Sequence, residues 1–197
     1  MRLKEGDKEN DIVKAAIILF ADQGFHKTKI SQIAEQANVA VGSIYLYFRN
    51  KDDIINKIFE GLWQRLYLES KKIADDKSLQ PCFKVDKMIE SIIDIFTENP
   101  HLAVLYVNEQ NSLLTNGKDI STKYYTKILD VAEKIMQEGI NKGEFVKDID
   151  IKIFRHFIFG AIRNLLHLWG KYPEEISIDN FKQTVKYLTK HGVVKAN

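Results

Sequence analysis

The stretch Thr28–Ile54, TKISQIAEQANVAVGSIYLYFRNKDDI, decides how the rest of the 197-residue chain is read. A helix-turn-helix needs a small residue where its second helix crosses the first, a turn residue that tolerates positive φ four positions later, and an aliphatic anchor on the second helix. Ala34, Asn38 and Ile44 occupy those slots, and Asn follows Gly in tolerance of the left-handed region. Ile33, Ala37, Val39 and Phe48 complete a small core around them, which leaves Val41, Gly42, Ser43, Tyr45 and Tyr47 to face outward. Taken alone, the three slots also occur by chance in helical proteins, with Tyr45, Tyr47 and Phe48 as ordinary core aromatics. Their place behind one amphipathic helix and ahead of Lys51 favours DNA binding.

Only the major groove admits a helix, and the N-terminal residues of a recognition helix meet base edges there. Val41, Gly42 and Ser43 are therefore the candidate base readers: Val41 for a thymine methyl, Gly42 for close approach, Ser43 as donor or acceptor. Thr28, Lys29, Tyr45, Tyr47 and Lys51 are expected to hold phosphates, which positions the protein without specifying sequence, and Ser31 is a further candidate DNA contact.

Upstream, Ile12, Ala16, Leu19 and Phe20 repeat at three-and-four spacing, predicting a helix over 11–23 that stops at Gly24. Downstream of two short helices, at 31–37 and 41–47, Asn50 and Asp53 mark the start of a long helix over 51–73 with Ile55, Phe59, Leu62 and Leu66 on one stripe. Further helices are expected at 84–97, at 100–115 with Asn99 as cap and Pro100 in the first turn, at 121–142 after a break at Thr115–Gly117, at 150–170 and at 178–190. The result is an all-α chain of about nine helices, divided into a DNA-binding domain over 1–52 and a second domain over 53–197.

Composition agrees. Only 3 prolines leave few breaks, and 45% hydrophobic residues suffice for a sizeable core. With 29 basic against 27 acidic residues the net charge is +2, so nucleic acid cannot be held by overall charge and any DNA site is local. The charged start MRLKEGDKEN has no apolar run behind it, and no run of about 20 apolar residues occurs, which points to the cytoplasm and no membrane partner. The single cysteine, Cys82, reads as an idle thiol.

The motif resembles the DNA-binding domain of the TetR family of repressors over about the first quarter of the chain. The matching residues are Gly24-Phe25, Thr28, Ile33-Ala34, Asn38-Val39, Gly42-Ser43-Ile44-Tyr45-Leu46-Tyr47-Phe48 and Lys51-Asp52, with Asn38 where the family usually has Gly. The resemblance implies a homodimer on near-palindromic operator DNA, released by a small effector, with no cofactor and no metal.

In the helix from 150, Ile151, Phe154, Ile158, Ala161, Leu165 and Leu168 form one apolar stripe, and Phe159, Ile162, Leu166 and Trp169 a second. Both stripes could close one chain's core, or one could join a four-helix dimer interface. The resemblance favours the interface, made from Phe154, Ile158, Ala161 and Leu165 with Phe181, Val185 and Leu188 of the last helix. For the effector, Phe96, Leu102, Leu105, Tyr106, Tyr125, Ile128 and Phe159 are the candidate apolar lining, and Glu109 and Arg163 the polar candidates, with Asn108 beside them. The segment NPHLAVLYVNEQN and Phe159-Gly160-Ala161-Ile162 resemble the subgroup of TetR repressors that governs fatty-acid degradation (FadR-like) and responds to long-chain acyl-CoA, although the Gln110 region lacks the arginine expected for phosphates.

Rival readings are weaker. An enzyme would need a phosphate loop, a metal spacing or a nucleophile elbow, and none is present, while His101, His156 and His167 read as core or interface histidines. The remaining alternatives are a multidrug-efflux regulator of the same family and a helical interaction module that does not bind DNA.

Overall fold

The computed structural model describes residues 8–115 and 120–193, and the side chains of 8–109 and 123–192. The break expected at Thr115–Gly117 and the side chain of Gln110 therefore lie wholly or partly outside the described residues. Among the described residues the chain is all-α with nine helices: α1 Lys8–Gln23, α2 Ile30–Gln36, α3 Val41–Ile44, α4 Lys51–Asp75, α5 Pro81–Thr97, α6 Pro100–Thr115, α7 Ile120–Asn141, α8 Ile151–Lys171 and α9 Ile178–Val193.

Local chemistry sets most of these boundaries. Gly24, at φ +87°, ends α1, and its N–H donates to the Phe20 carbonyl at 3.1 Å. Asn50 caps α4 by accepting from the Asp53 N–H at 2.8 Å, and the Asp53 carboxylate accepts in return from the Arg49 N–H at 3.0 Å. Asp150 caps α8 through the N–H groups of Lys152 and Ile153. Helix α5 begins at Pro81, three residues before the expected start at 84, because proline fits the first helical position where no N–H is needed. Helix α3 is correspondingly shorter than the 41–47 expected: its last hydrogen-bonded turn runs on through Tyr47 and Phe48 to the Ile44 carbonyl without continuing as helix.

Asn38 is the one non-glycine among the described residues at positive φ, +54°, as the turn requires. Asn38→Ala is expected to destabilise the protein by about 1–2 kcal/mol, the ordinary cost of placing a Cβ-bearing residue there, whereas Asn38→Gly is not. Chemical denaturation of both variants checks this.

One hydrophobic core runs through the chain from Ile12 and Phe20 of α1 to Phe181 and Val185 of α9. Helix α4 crosses the expected boundary at 52/53 and ties the two ends together. Its first turns bury Ile54, Ile55 and Ile58, its middle buries Phe59, Leu62 and Trp63, and it packs most extensively on α7. Helix α6 packs on α1 and α8, so α1 touches the large helical body through both α4 and α6. Three ion pairs lash α9 to α5, namely Lys182–Asp94, Lys186–Glu90 and Lys190–Asp86, one per helical turn on each side.

Candidate nucleic-acid interface and effector cavity

Helices α2 and α3 cross at Ala34, and Ile33, Ala34, Ile44 and Phe48 are all buried at the crossing. The turn between them is fixed by the Val39 N–H donating to the Ala34 carbonyl at 2.9 Å. This arrangement leaves Val41, Gly42, Tyr45, Leu46 and Tyr47 exposed on one side, with Ser43 half-buried beside them and Lys29 and Ser31 exposed at the start of α2.

Two residues expected to hold phosphates are engaged elsewhere. Thr28 is only 2% exposed, and its hydroxyl donates to the Gly24 carbonyl at 2.8 Å while accepting from Gln23 Nε2 at 3.2 Å. Lys51 turns its Nζ inward over the α1–α2 loop, where it meets the carbonyls of Phe25, His26 at 3.1 Å and Thr28 at 2.9 Å, with the Phe25 ring 4.5 Å beneath. A motif shows which residues recur at a site, not whether each faces the ligand or holds the scaffold. In the chain without DNA both side chains hold the loop that leads into α2. Conversely, Lys27 and Arg49 are exposed cations flanking the same surface. Their signal in the sequence was a basic residue beside Thr28 and beside the Tyr-x-Tyr-Phe aromatics.

A second feature lies in the large body. Helices α5, α7 and α8, with Thr189 of α9, line a partly open cavity of about 60 Å3 that is aliphatic and aromatic apart from Arg155 and Thr189. Two of the expected lining residues, Ile128 and Phe159, are there. Tyr125 stands behind Phe159, edge-on at 5.6 Å, and burial pushes its phenol above the usual tyrosine range. The α6 candidates are not in the lining. Leu105 and Tyr106 are core, and Tyr106 packs on Phe96 at 4.9 Å and edge-on to Trp63 at 5.6 Å. Leu102 faces a separate hollow between α1, α4 and α6. Glu109 is half-buried on α6, and Arg163 Nη2 donates to the Val107 carbonyl at 3.3 Å. Apolar periodicity identified which faces are buried, but the cavity belongs to α5, α7 and α8 because α6 lies against α1 and α8 instead.

The expected dimer residues divide in the same way. Phe154 and Ile158 turn into the cavity, and Phe181, 3% exposed, and Val185 belong to the chain's own core. Ala161 and Leu165 are half-buried. Leu188, the remaining expected interface residue, is 62% exposed, and further large apolar side chains exposed on α8 and α9 include Ile153, Phe157 at 68%, Leu168 and Tyr187. On a helix apolar over two stripes, the sequence alone could not settle which stripe its own chain covers.

Cys82 is half-buried, and burial with the neighbouring Glu144 raises its thiol above the usual range. His101 faces Asp22 of α1 at 3.6 Å. No helix among the described residues is long and apolar enough to cross a membrane.

A recognition helix with an exposed polar and aromatic face, carried by a helical body with a partly open apolar cavity, defines a helix-turn-helix regulator of transcription. Residues 12–58 match the bacterial regulatory proteins of the tetR family, and residues 47–192 match the C-terminal region of the YsiA-like proteins. The fatty acid metabolism regulator protein of Bacillus subtilis is 30% identical over 190 residues, covering 94% of this chain and 95% of the relative. The chain belongs to the TetR family of DNA-binding transcriptional repressors.

Among solved structures, the fatty acid degradation regulator FadR of Bacillus halodurans superposes with a TM-score of 0.81 at 24% identity, covering 94% of this chain and 96% of that one. FadR of Bacillus subtilis, solved in complex with stearoyl-CoA, gives 0.79 at 26% identity, covering 91% and 96%. SmeT, the repressor of a Stenotrophomonas maltophilia multidrug efflux pump, gives 0.74 at 19% identity over 96% and 91%, a likeness of fold alone.

Proposed function

We propose that this protein is a homodimeric cytoplasmic repressor that leaves a near-palindromic operator when a long-chain acyl-CoA enters the cavity between α5, α7 and α8. The observation that carries this reading is the cavity itself, an apolar space beside α4 in a chain whose full-length relative regulates fatty acid metabolism. The stearoyl-CoA bound to the similar Bacillus subtilis regulator supports the ligand class.

At the DNA, Val41, Gly42 and Ser43 read bases, and Lys29, Ser31, Tyr45 and Tyr47, joined by Lys27 and Arg49, hold phosphates. Gly42 supports this assignment: a Cβ built there meets nothing within 4 Å, so packing inside the chain does not call for glycine, while a base edge at close range would. The apolar face around Phe157 and Leu188 supports dimerisation. Two copies joined there hold their recognition helices for successive major-groove turns, about 34 Å apart.

Release follows from size. The cavity's free space of about 60 Å3 falls well short of the 300–1,000 Å3 or so of a ligand pocket. An acyl chain therefore enters only if α5, α7 and α8 move apart. Phe159 of the cavity wall stacks on Trp63 of α4 at 6.4 Å, and α4 leads directly to the helix-turn-helix, so opening the cavity shifts α4. Ligand binding then favours the arrangement with the larger cavity, and operator affinity falls by the same differential.

The test uses duplexes selected from a random pool by the purified protein. Stearoyl-CoA is expected to release the retarded complex while CoA alone does not. A complex that persists with saturating stearoyl-CoA, yet dissociates with a bulky hydrophobic drug, would move the protein to the efflux regulators.

A further inference from the structure

Arg155 is the one charged side chain among the described residues that line the cavity. The other polar group there is spoken for, since the Thr189 hydroxyl donates to the Val185 carbonyl at 2.7 Å. Arg155 Nη1 donates to Glu133 Oε2 of α7 at 2.8 Å, but its Nε–H is buried and has no acceptor among the described residues. A buried donor left unpaired is costly and calls for an acceptor from outside the chain, such as a water, an ion or a ligand atom.

Glu133 stands on the other side of the same pair. It lines a separate open hollow of about 480 Å3 between the end of α7 and the start of α8, together with Gln137, Lys147 and Lys152. The Asp150 carboxylate in that hollow is occupied with capping α8. The Arg155–Glu133 pair is thus the partition between an apolar interior and a polar surface basin bearing two exposed lysines.

We propose that this pair is the junction at which an acyl thioester crosses from cavity to surface, a proposal that rests on the acyl-CoA reading above. The chain lies inside, the Arg155 Nε–H donates to the thioester carbonyl oxygen, and Lys147 and Lys152 meet the phosphates in the basin. Glu133 makes the junction selective. Its carboxylate already neutralises Arg155, so a free fatty acid would bring a second carboxylate against it, whereas a neutral carbonyl asks only for the unused N–H. The pair reads a neutral acceptor and turns away an anionic one.

Calorimetric titration of the full-length protein with stearoyl-CoA and with stearate tests this. Wild type is expected to prefer stearoyl-CoA by tenfold or more. Arg155→Met should weaken stearoyl-CoA about tenfold or further, the usual effect of losing a hydrogen bond from a charged donor. Arg155→Lys, which keeps the charge but has no Nε–H, should lose nearly as much. Glu133→Gln should narrow the preference about tenfold by strengthening stearate. Wild-type affinity for stearoyl-CoA in both Arg155 variants, or an unchanged preference in Glu133→Gln, overturns the junction while leaving the acyl-CoA effector in place. Wild type that binds no stearoyl-CoA overturns the effector and the junction together. Should Arg155→Met fail to fold, Arg155→Lys and Glu133→Gln decide.

Discussion

Phe157→Glu is expected to turn the protein into a monomer and to cut operator affinity by a factor of roughly 10² to 10⁴. The side chain is 68% exposed on α8, with the exposed Ile153 one turn before it on the same face. Its replacement therefore removes almost nothing from the chain's own core. In a twofold dimer each change occurs twice, so two carboxylates enter one apolar interface without partners. A single helix-turn-helix then binds without the second half-site to hold it in place. Sedimentation velocity reads the oligomeric state and gel retardation the affinity, with the melting temperature as a control that should barely change. A variant that stays dimeric would remove α8 and α9 from the interface. Phe181→Ala makes the contrast: that residue belongs to the monomer's core, and its loss should lower stability by about 3–5 kcal/mol.

The pair of phenylalanines also shows where sequence reasoning reached its limit. What depends on neighbouring residues was legible: Gly24 and Asn38 at positive φ, Asn50 and Asn99 as caps, and the crossing of Ala34 against Ile44. Each is a constraint that acts within a few residues, so the local sequence states it. What depends on which helix lies beside which was not. Leu102, Leu105 and Tyr106 have the composition of pocket residues, but α6 is set against α1 and α8 and they stand outside the cavity between α5, α7 and α8. Phe154 and Ile158 have the spacing of an interface, yet they face α5 and α7 across the cavity. Arg155 and Glu133 drew no attention in the sequence because they are 22 residues apart on different helices and match no motif.

Lys51 is the sharpest such case, and replacing it separates two roles that its motif leaves merged. A phosphate-binding lysine and a scaffold lysine look the same in the sequence, but removing them has effects that differ in kind. With Nζ on the carbonyls of Phe25, His26 and Thr28, Lys51→Met removes a charged donor shared by three acceptors in a partly buried loop. Hydrogen bonds to a charged group contribute about 1.5–3 kcal/mol each, less where water can replace them, so a total of about 2–3 kcal/mol is expected here. For a chain of this length that corresponds to a fall of roughly 4–12 °C in melting temperature. Operator affinity should fall with it, because the loop that aims α2 loosens, but the dependence of log affinity on log salt should keep its slope. Lys29→Ala and Arg49→Ala are expected to do the reverse. Both side chains are exposed, so stability holds, while each phosphate left without its cation reduces the slope by about 0.9, or about 1.8 per dimer. Melting curves and retardation assays across a salt series decide between them. Were Lys51→Met to keep its melting temperature and flatten the salt dependence, Nζ would leave the loop for the DNA on binding, and the carbonyl cluster would be only its resting place.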